Sequence, residues 1–387
     1  MERVVEAAVS LSSEFRAVDM SGCTGYGHDE VGGHEALDQV FAEIFSSEAA
    51  IHMHSCYHLC FFALLRSGDE LLAVAGAPYD TLEEVIGKRD SHGMGSLRDF
   101  GVEYREVPHA ADGGLDWVAV TGALKPQTKC ALIQRVFIHG RRVGVREIDR
   151  AMKIVKMQNP NCLAWWIAAM VNLWKGADLI AGSLIENPAG TIAPCGGYVA
   201  RSEIKVVAAH LSAPGLGVDC GSTPGDIMQA FLQGLFLSPS DGWQSNQGTI
   251  YQLVICSILL YSSNNRVTFV LKGSFLIAEV MSSKGYVVQP LPWFPFHDTV
   301  QAVQLENREK LLPFCEAVQR SSLVASFTKL VAGFSPGYAS EVIFADGTFI
   351  DGRTSELSCD GPLRGPFSGG THWTQWGIVL GEVWKSI

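Results

Sequence analysis

Charge is what this sequence has least of. Of 387 residues, 18% are Asp, Glu, Lys or Arg, where about 25% is usual. Apolar residues make up 47%, which excludes a disordered, collagen-like or coiled-coil chain. The net charge is −11. A nucleic-acid partner is not expected, because phosphate binding needs a basic face. Three runs carry no charged residue: Ala49 to Leu65, Met157 to Trp174 and Gly242 to Asn265. A membrane span needs about 20 mostly apolar residues. The first run is too short; Gln158, Asn159, Pro160 and Asn161 break the second, and Gln244, Asn246 and Gln247 the third. No membrane partner is expected, although Leu253 to Tyr261 is sticky. Met1 to Arg16 has mixed charge and no apolar signal core, which points to the cytoplasm. The 10 cysteines include no CxxC pair, so free thiols in a reducing compartment are expected.

Along the chain, periodicity predicts helices over Glu35–Phe45, Thr81–Ile86 (capped near Asp80), Glu147–Met157 and Thr223–Leu237. Strands are predicted over Glu70–Ala75, Cys130–Val136, Ala177–Ala181 and Gly197–Ala200. Strands alternating with helices imply an α/β fold, with a parallel or mixed sheet covered on both faces. Beyond Lys272 the style changes. A helix (Ser274–Ser283), strands (Val287–Leu291, Thr299–Leu305), a helix (Arg308–Arg320), strands around Glu341–Phe344 and Glu356–Ser358 and a C-terminal amphipathic helix suggest a smaller α+β domain. The predicted layout is an N-terminal arm (1–30), a large α/β domain (31–239), an anomalous insertion (240–271) and a small C-terminal domain (272–387).

Four stretches hold residues suited to chemistry. His52, His54, Cys56, His58 and Cys60 alternate with other residues. Such a density could bind zinc or copper, yet alternate positions also fit a strand face and no second cluster completes a closed site. No metal is expected. Gly182 to Tyr198 is glycine-rich and follows a predicted strand; it reads equally as a phosphate cradle and as an ordinary long loop. Arg364 follows a Gly-Pro turn, a setting for bidentate carboxylate binding or for a solvated surface Arg. Gly25 to Glu30 reads as a mobile arm or a turn.

Taken in order, GYGHDEVGGHEALDQVFAEIF, RSGDELLAVAGAPYDTLEEVIG, GADLIAGSLIENPAGTIAPCGGY, LSAPGLGVDCGSTPGDIMQAFLQGLFLSP and YASEVIFADGTFIDGRTSELSCDGPLR resemble the methionine gamma-lyase-like (aluminium resistance protein) family, in its plant or cyanobacterial type. They are spread from Gly25 to Arg364, most of the chain's length. The resemblance implies a fold-type-I pyridoxal-phosphate architecture with a seven-stranded, mostly parallel sheet and a smaller C-terminal domain. It also implies a homo-oligomer (dimer or tetramer) with sites at the subunit interface. The activity implied is carbon–sulfur elimination on a sulfur amino acid, with pyridoxal 5'-phosphate as electron sink. Residue by residue, Tyr26 matches the arm tyrosine near a neighbouring subunit's cofactor phosphate. Tyr79 matches the residue stacking on the pyridine ring, Ser183 a phosphate contact, and Arg364 the clamp on the substrate carboxylate. A plastid address is implied if a transit peptide precedes the sequence.

The departures fall on the chemistry. The family reads GSLIKNPGG, and its lysine forms the Schiff base; Glu186 stands there, and a carboxylate cannot form an imine. Lys175 and Lys205 lie nearby in sequence, but neither occupies the family position. The family segment VDNCYGEFVE, whose Asp pairs with the pyridine nitrogen, is replaced by WWIAAMVNLW, Trp165 to Trp174. A coding string for MVDNCYGEFVE, read one base out of frame, gives WWITAMVNLW, which differs only at Ala168. The phosphate segment SGTHAI is missing too. A string for THAITCAFF read two bases on gives SCYHLCFF, Ser55 to Phe62. His34 stands where relatives carry Arg, and the segment near Phe367 to Gly369 is shortened. The sequence thus reads as a decayed gene or a faulty gene model of that family; resequencing the transcript separates the two. Three outcomes are open: an impaired lyase, a non-catalytic pseudoenzyme serving as a dimerisation partner, or a product that does not fold because WWIAAM replaces a core strand.

Overall fold

The computed structural model describes residues 38–53, 57–89, 95–110, 114–134, 143–167, 176–183, 196–203, 278–292, 300–321, 326–334, 341–346, 358–362 and 370–372, with positions 40, 44, 79, 290 and 306 excepted. The chain divides into two compact units that part after Leu237.

Seven strands carry the first unit: β1 (Ala49–Met53), β2 (Glu70–Ala73), β3 (Glu103–Glu106), β4 (Thr128–Gln134), β5 (Leu163–Ile167), β6 (Leu179–Ser183) and β7 (Gly197–Arg201). Their order in the sheet is β1-β7-β6-β5-β4-β2-β3. From β3 to β6 every neighbouring pair is parallel. β7 runs antiparallel to β6 and to β1. This is the mixed, mostly parallel α/β sheet expected from the sequence. Helices α1 (Tyr57–Leu64), α2 (Asp80–Ile86), α3 (Trp117–Ala123) and α4 (Val145–Gln158) connect the strands.

The central strands are apolar because they are buried on both faces. Every residue of β2 is buried, and in β4 only Lys129 is exposed. Edge strand β3, Glu-Tyr-Arg-Glu, is only partly covered, a composition that discourages further strand pairing. Helix α4 buries Ile148, Ala151, Met152 and Val155, the spacing of one helical face. Its start is fixed by the Glu147 carboxylate accepting from the Gly144 N–H at 2.8 Å. At its end, the Asn159 side-chain amide donates to the carbonyls of Lys125 and Thr128 at 3.1 Å each, tying α4 to the start of β4. Asp116 caps α3 by accepting from the N–H groups of Val118 and Ala119.

Cys60, Phe61 and Leu64 of α1 share a core cluster with Leu163, Trp165 and Ile167 of β5 and with Leu132, Leu179 and Val199. Trp165 is fully buried and meets Phe61 edge to face, centroids 4.8 Å apart, a favoured aromatic geometry. Trp165 to Ile167, the first three residues of the replaced segment, therefore lie in the middle strand of the sheet.

Several boundaries move. The predicted Cys130–Val136 strand begins two residues earlier, at Thr128, and is described as far as Gln134. The predicted Ala177–Ala181 strand runs from Leu179 to Ser183. Residues 38–45 are helical where described. The Thr223–Leu237 and C-terminal helices lie outside the described residues.

In the second unit, β8 (Val287–Gln289), β9 (Val300–Gln304), β10 (Val342–Asp346), β11 (Ser358–Pro362) and β12 (Gly370–His372) form an antiparallel sheet of order β10-β11-β12-β9-β8. Helix α5 (Arg308–Ser321) buries Leu311, Phe314, Cys315 and Val318 together with Val288, Val303, Ile343 and Ala345. Of the strand expected at Glu356–Ser358, Ser358 opens β11, and Glu356 lies outside the described residues.

Candidate functional site

In open α/β sheets, ligands bind outside the carboxyl ends of the parallel strands. Here those ends are Ala73 (β2), Glu106 (β3), Gln134 (β4), Ile167 (β5) and Ser183 (β6). Of these five only Glu106, on the edge strand and paired with Lys88, is charged. The first residue of β7, Gly197, lies opposite Ser183, and the last of β1, Met53, lies opposite Gly197. β6 therefore delivers Ser183 to this rim, where the resemblance placed a phosphate contact. Tyr26, Tyr79, Glu186 and Arg364 lie outside the described residues.

The chain leaves β2 through a tight turn. Gly76 takes φ +81°, and its N–H donates to the Val107 carbonyl at 3.0 Å. A Cβ on Gly76 would lie 2.5 Å from His109 Nε2, so backbone conformation and close approach both require glycine. His109 was not singled out by the sequence; only the chain path brings it there.

On β1, His52 is fully buried, and one oxygen of Asp38 serves it twice. Asp38 Oδ1 lies 2.7 Å from His52 Nδ1 and accepts from the His52 N–H at 2.8 Å. Of the candidate metal ligands, His52 belongs to β1 whereas His58 and Cys60 belong to α1, so the alternating pattern does not stay on one strand. His54 and Cys56 lie outside the described residues. No group of three or more potential metal ligands occurs among the described residues. Burial pushes the His58 imidazole pKa down, favouring the neutral ring.

Charge gathers at the opposite, amino end of the sheet. Glu70, the first residue of β2, is fully buried. Arg105 grips it in a fork, Nε to Oε2 at 2.6 Å and Nη2 to Oε1 at 2.7 Å. The Thr128 hydroxyl donates to Oε1 at 2.5 Å, and Lys125 Nζ lies 3.6 Å from Oε2. Burial alone would raise the Glu70 pKa, but the hydrogen bonds from Arg105 and Thr128 outweigh it and leave it lowered. Beside β6, Asp178 accepts from the Ala164 N–H at 2.7 Å and pairs with Lys156 at 2.5 Å. Cys162 sits nearby with its thiol pushed up to about 12, chiefly by burial, so it stays protonated and inert. These groups are mutually satisfied and far along the strands from the rim; they serve stability.

Buried Trp165 stands two residues before the end of β5. Its Nε1 has no hydrogen-bond partner among the described residues. Ile167 ends the strand, 2% exposed, between Gln134 of β4 and Ala181 of β6.

Comparison with known proteins places this geometry among relatives. Residues 2–266 and 259–387 match the family model for methionine gamma-lyase. The two stretches meet at 259–266, inside the 240–271 segment that had no counterpart in the sequence reading. The uncharacterized protein YnbB of Bacillus subtilis is 33% identical over 381 residues, covering 94% of this chain and 83% of YnbB. A Listeria monocytogenes structure, a candidate cystathionine beta-lyase involved in aluminium resistance, is similar with a TM-score of 0.80 and 29% identity, covering 100% of this chain and 93% of that one. A carbon–sulfur lyase involved in aluminium resistance from Clostridium novyi is similar with a TM-score of 0.79 and 27% identity, covering 99% of this chain and 88% of that one.

Proposed function

Because the chain belongs to the methionine gamma-lyase family, we propose that it is a non-catalytic member of it. It keeps the fold of a carbon–sulfur lyase and lacks the group that would turn over a sulfur amino acid. The observation that carries this is Glu186, which occupies the position of the family's Schiff-base lysine in Gly182-Ser183-Leu184-Ile185-Glu186-Asn187-Pro188. A lysine amine can form an imine with a carbonyl cofactor and move protons; a carboxylate can do only the second.

The family implies pyridoxal phosphate. When bound, that group supplies an electron sink for a carbanion. The residues present do not fit it. The pyridine nitrogen needs a carboxylate, and the end of β5 offers the buried, apolar Ile167. Glu186 would add negative charge beside a phosphate. No catalytic step is derived through the cofactor. Tyr26, Tyr79, Ser183 and Arg364 are retained in sequence, and we assign them the inherited roles of arm contact, ring stacking, phosphate contact and substrate-carboxylate clamp. A homo-oligomer in the cytoplasm, with a small amino acid as the ancestral substrate, completes this reading. No described helix is long and apolar enough to cross a membrane. β5 at the centre of the sheet supports a folded product over one that cannot fold.

The test is thiol and keto-acid release from sulfur amino acids, with pyridoxal phosphate supplied. No turnover above the uncatalysed rate is expected. Turnover that survives purification to homogeneity overturns the reading.

A further inference from the structure

We infer that the cofactor end of β5 has become hydrophobic core, so that returning a lysine to position 186 does not give this chain a pyridoxal-phosphate site. The inference rests on the reading of Glu186 above and goes beyond it, because it locates a second, independent obstacle in the fold.

The obstacle is visible in the packing. Leu163, Trp165 and Ile167 alternate along β5 and join one buried cluster with Phe61 and Leu64 of α1. Ile167 is in register with Gln134 on one side and Ala181 on the other. It is 2% exposed, so its side chain is already enclosed by protein. An aromatic nitrogen base that gains a proton on binding needs an anionic partner in a dry site. Ile167 and its neighbours at the ends of β4 and β6, Gln134 and Ser183, cannot be that anion, and Glu106 at the end of β3 lies three strands from β5 and is paired with Lys88. Trp165 adds bulk beneath the same end of the strand. Its buried Nε1 lacks a partner among the described residues, as expected of a residue present for volume and apolarity and not for a polar role.

The β1–α1 connection points the same way. Strand β1 ends at Met53 and α1 starts at Tyr57. His52 is held inward by Asp38, not turned toward an anion at the helix start. A strand–turn–helix that cradles phosphate relies on small residues for close backbone approach. From His52 to Tyr57 the sequence has no glycine, and residues 54–56 lie outside the described residues.

The experiment combines equilibrium dialysis with thermal melts at micromolar pyridoxal phosphate. It uses three purified proteins: the unmodified chain, Glu186→Lys and Ile167→Asp. The expected results are no saturable one-to-one binding and no ligand-dependent rise in melting midpoint for any of them. Ile167→Asp should also melt earlier than the unmodified chain, because its carboxylate is buried without a partner. One equivalent of pyridoxal phosphate bound by the unmodified chain or by Glu186→Lys overturns the inference. If Glu186→Lys does not fold, Glu186→Gln, which removes the negative charge, takes its place in the dialysis with the same expected and overturning results. Binding by Glu186→Lys with an inactive unmodified chain defeats this inference alone. Turnover by the unmodified chain defeats the reading of Glu186.

Discussion

Replacing Glu70 by glutamine tests what holds the amino end of the sheet. The carboxylate is fully buried and takes a two-point fork from Arg105, with distances of 2.6 and 2.7 Å, plus the Thr128 hydroxyl. Glu70→Gln keeps the shape but turns an amide N–H₂ toward a guanidinium, so one of the fork's donors loses its acceptor. Removing one partner of a fully buried ion pair costs about 3–5 kcal/mol. Arg105 is 32% exposed, so water recovers part of its solvation, and the expected loss is about 2–4 kcal/mol. At a urea slope of about 3 kcal/mol per molar, that moves the unfolding midpoint down by about 1 M. Acid supplies the second half of the test. The carboxyl's pKa is lowered in the folded protein, so its stabilisation is fully present above the unfolded pKa of about 4.3 and is lost as pH falls through the folded value. The gap between the unmodified chain and Glu70→Gln should be full at neutral pH and shrink toward pH 3 and below. Urea titrations followed by circular dichroism at both pH values measure it. A neutral-pH loss under about 1 kcal/mol refutes the claim that the fork matters to stability. A gap that does not shrink in acid refutes the sign of the shift.

Trp165 separates volume from polarity. Trp165→Phe removes an unpartnered Nε1 while keeping an aromatic ring against Phe61, so it should change stability by no more than about 1.5 kcal/mol, whereas Trp165→Ala should cost about 3–5 kcal/mol; denaturant midpoints compare them. Gly76→Ala forces a Cβ to within 2.5 Å of His109 Nε2 at φ +81° and should destabilise by about 1–3 kcal/mol, read as an earlier thermal transition.

Much of the frame was legible in the sequence, for identifiable reasons. β2, β4 and α4 announce themselves because burial on both faces gives apolar runs and burial on one face gives a 3.6-residue period. β3 was missed because an edge strand of Glu-Tyr-Arg-Glu carries no apolar signal. α1 was missed because Tyr-His-Leu-Cys-Phe-Phe-Ala-Leu is apolar nearly all round and so shows no period. β5 is marked in the sequence only by the replaced segment that begins at its third residue, Trp165. The site was legible mainly through resemblance. Of the five residues carried over, only Ser183 falls among the described ones. Ile167, Gly76 and His109 gain meaning only from tertiary placement. The His/Cys series looked like ligands in one dimension, yet His52 is occupied by Asp38, which no local spacing rule would pair with it.

The main-chain ladder that joins β5 to β4 and β6 has a genetic consequence. Its pairings, Cys130 to Leu163 through Gln134 to Ile167 and Trp165 to Leu179 through Ile167 to Ala181, are made by peptide groups, which every residue except proline supplies in full. A stretch of new codons can therefore enter the middle of the sheet if it encodes greasy side chains of tolerable size. Loss of chemistry and loss of shape become separable events in the history of such a gene. A lineage can silence the reaction in one step and still inherit a durable polypeptide, open to selection for some other use.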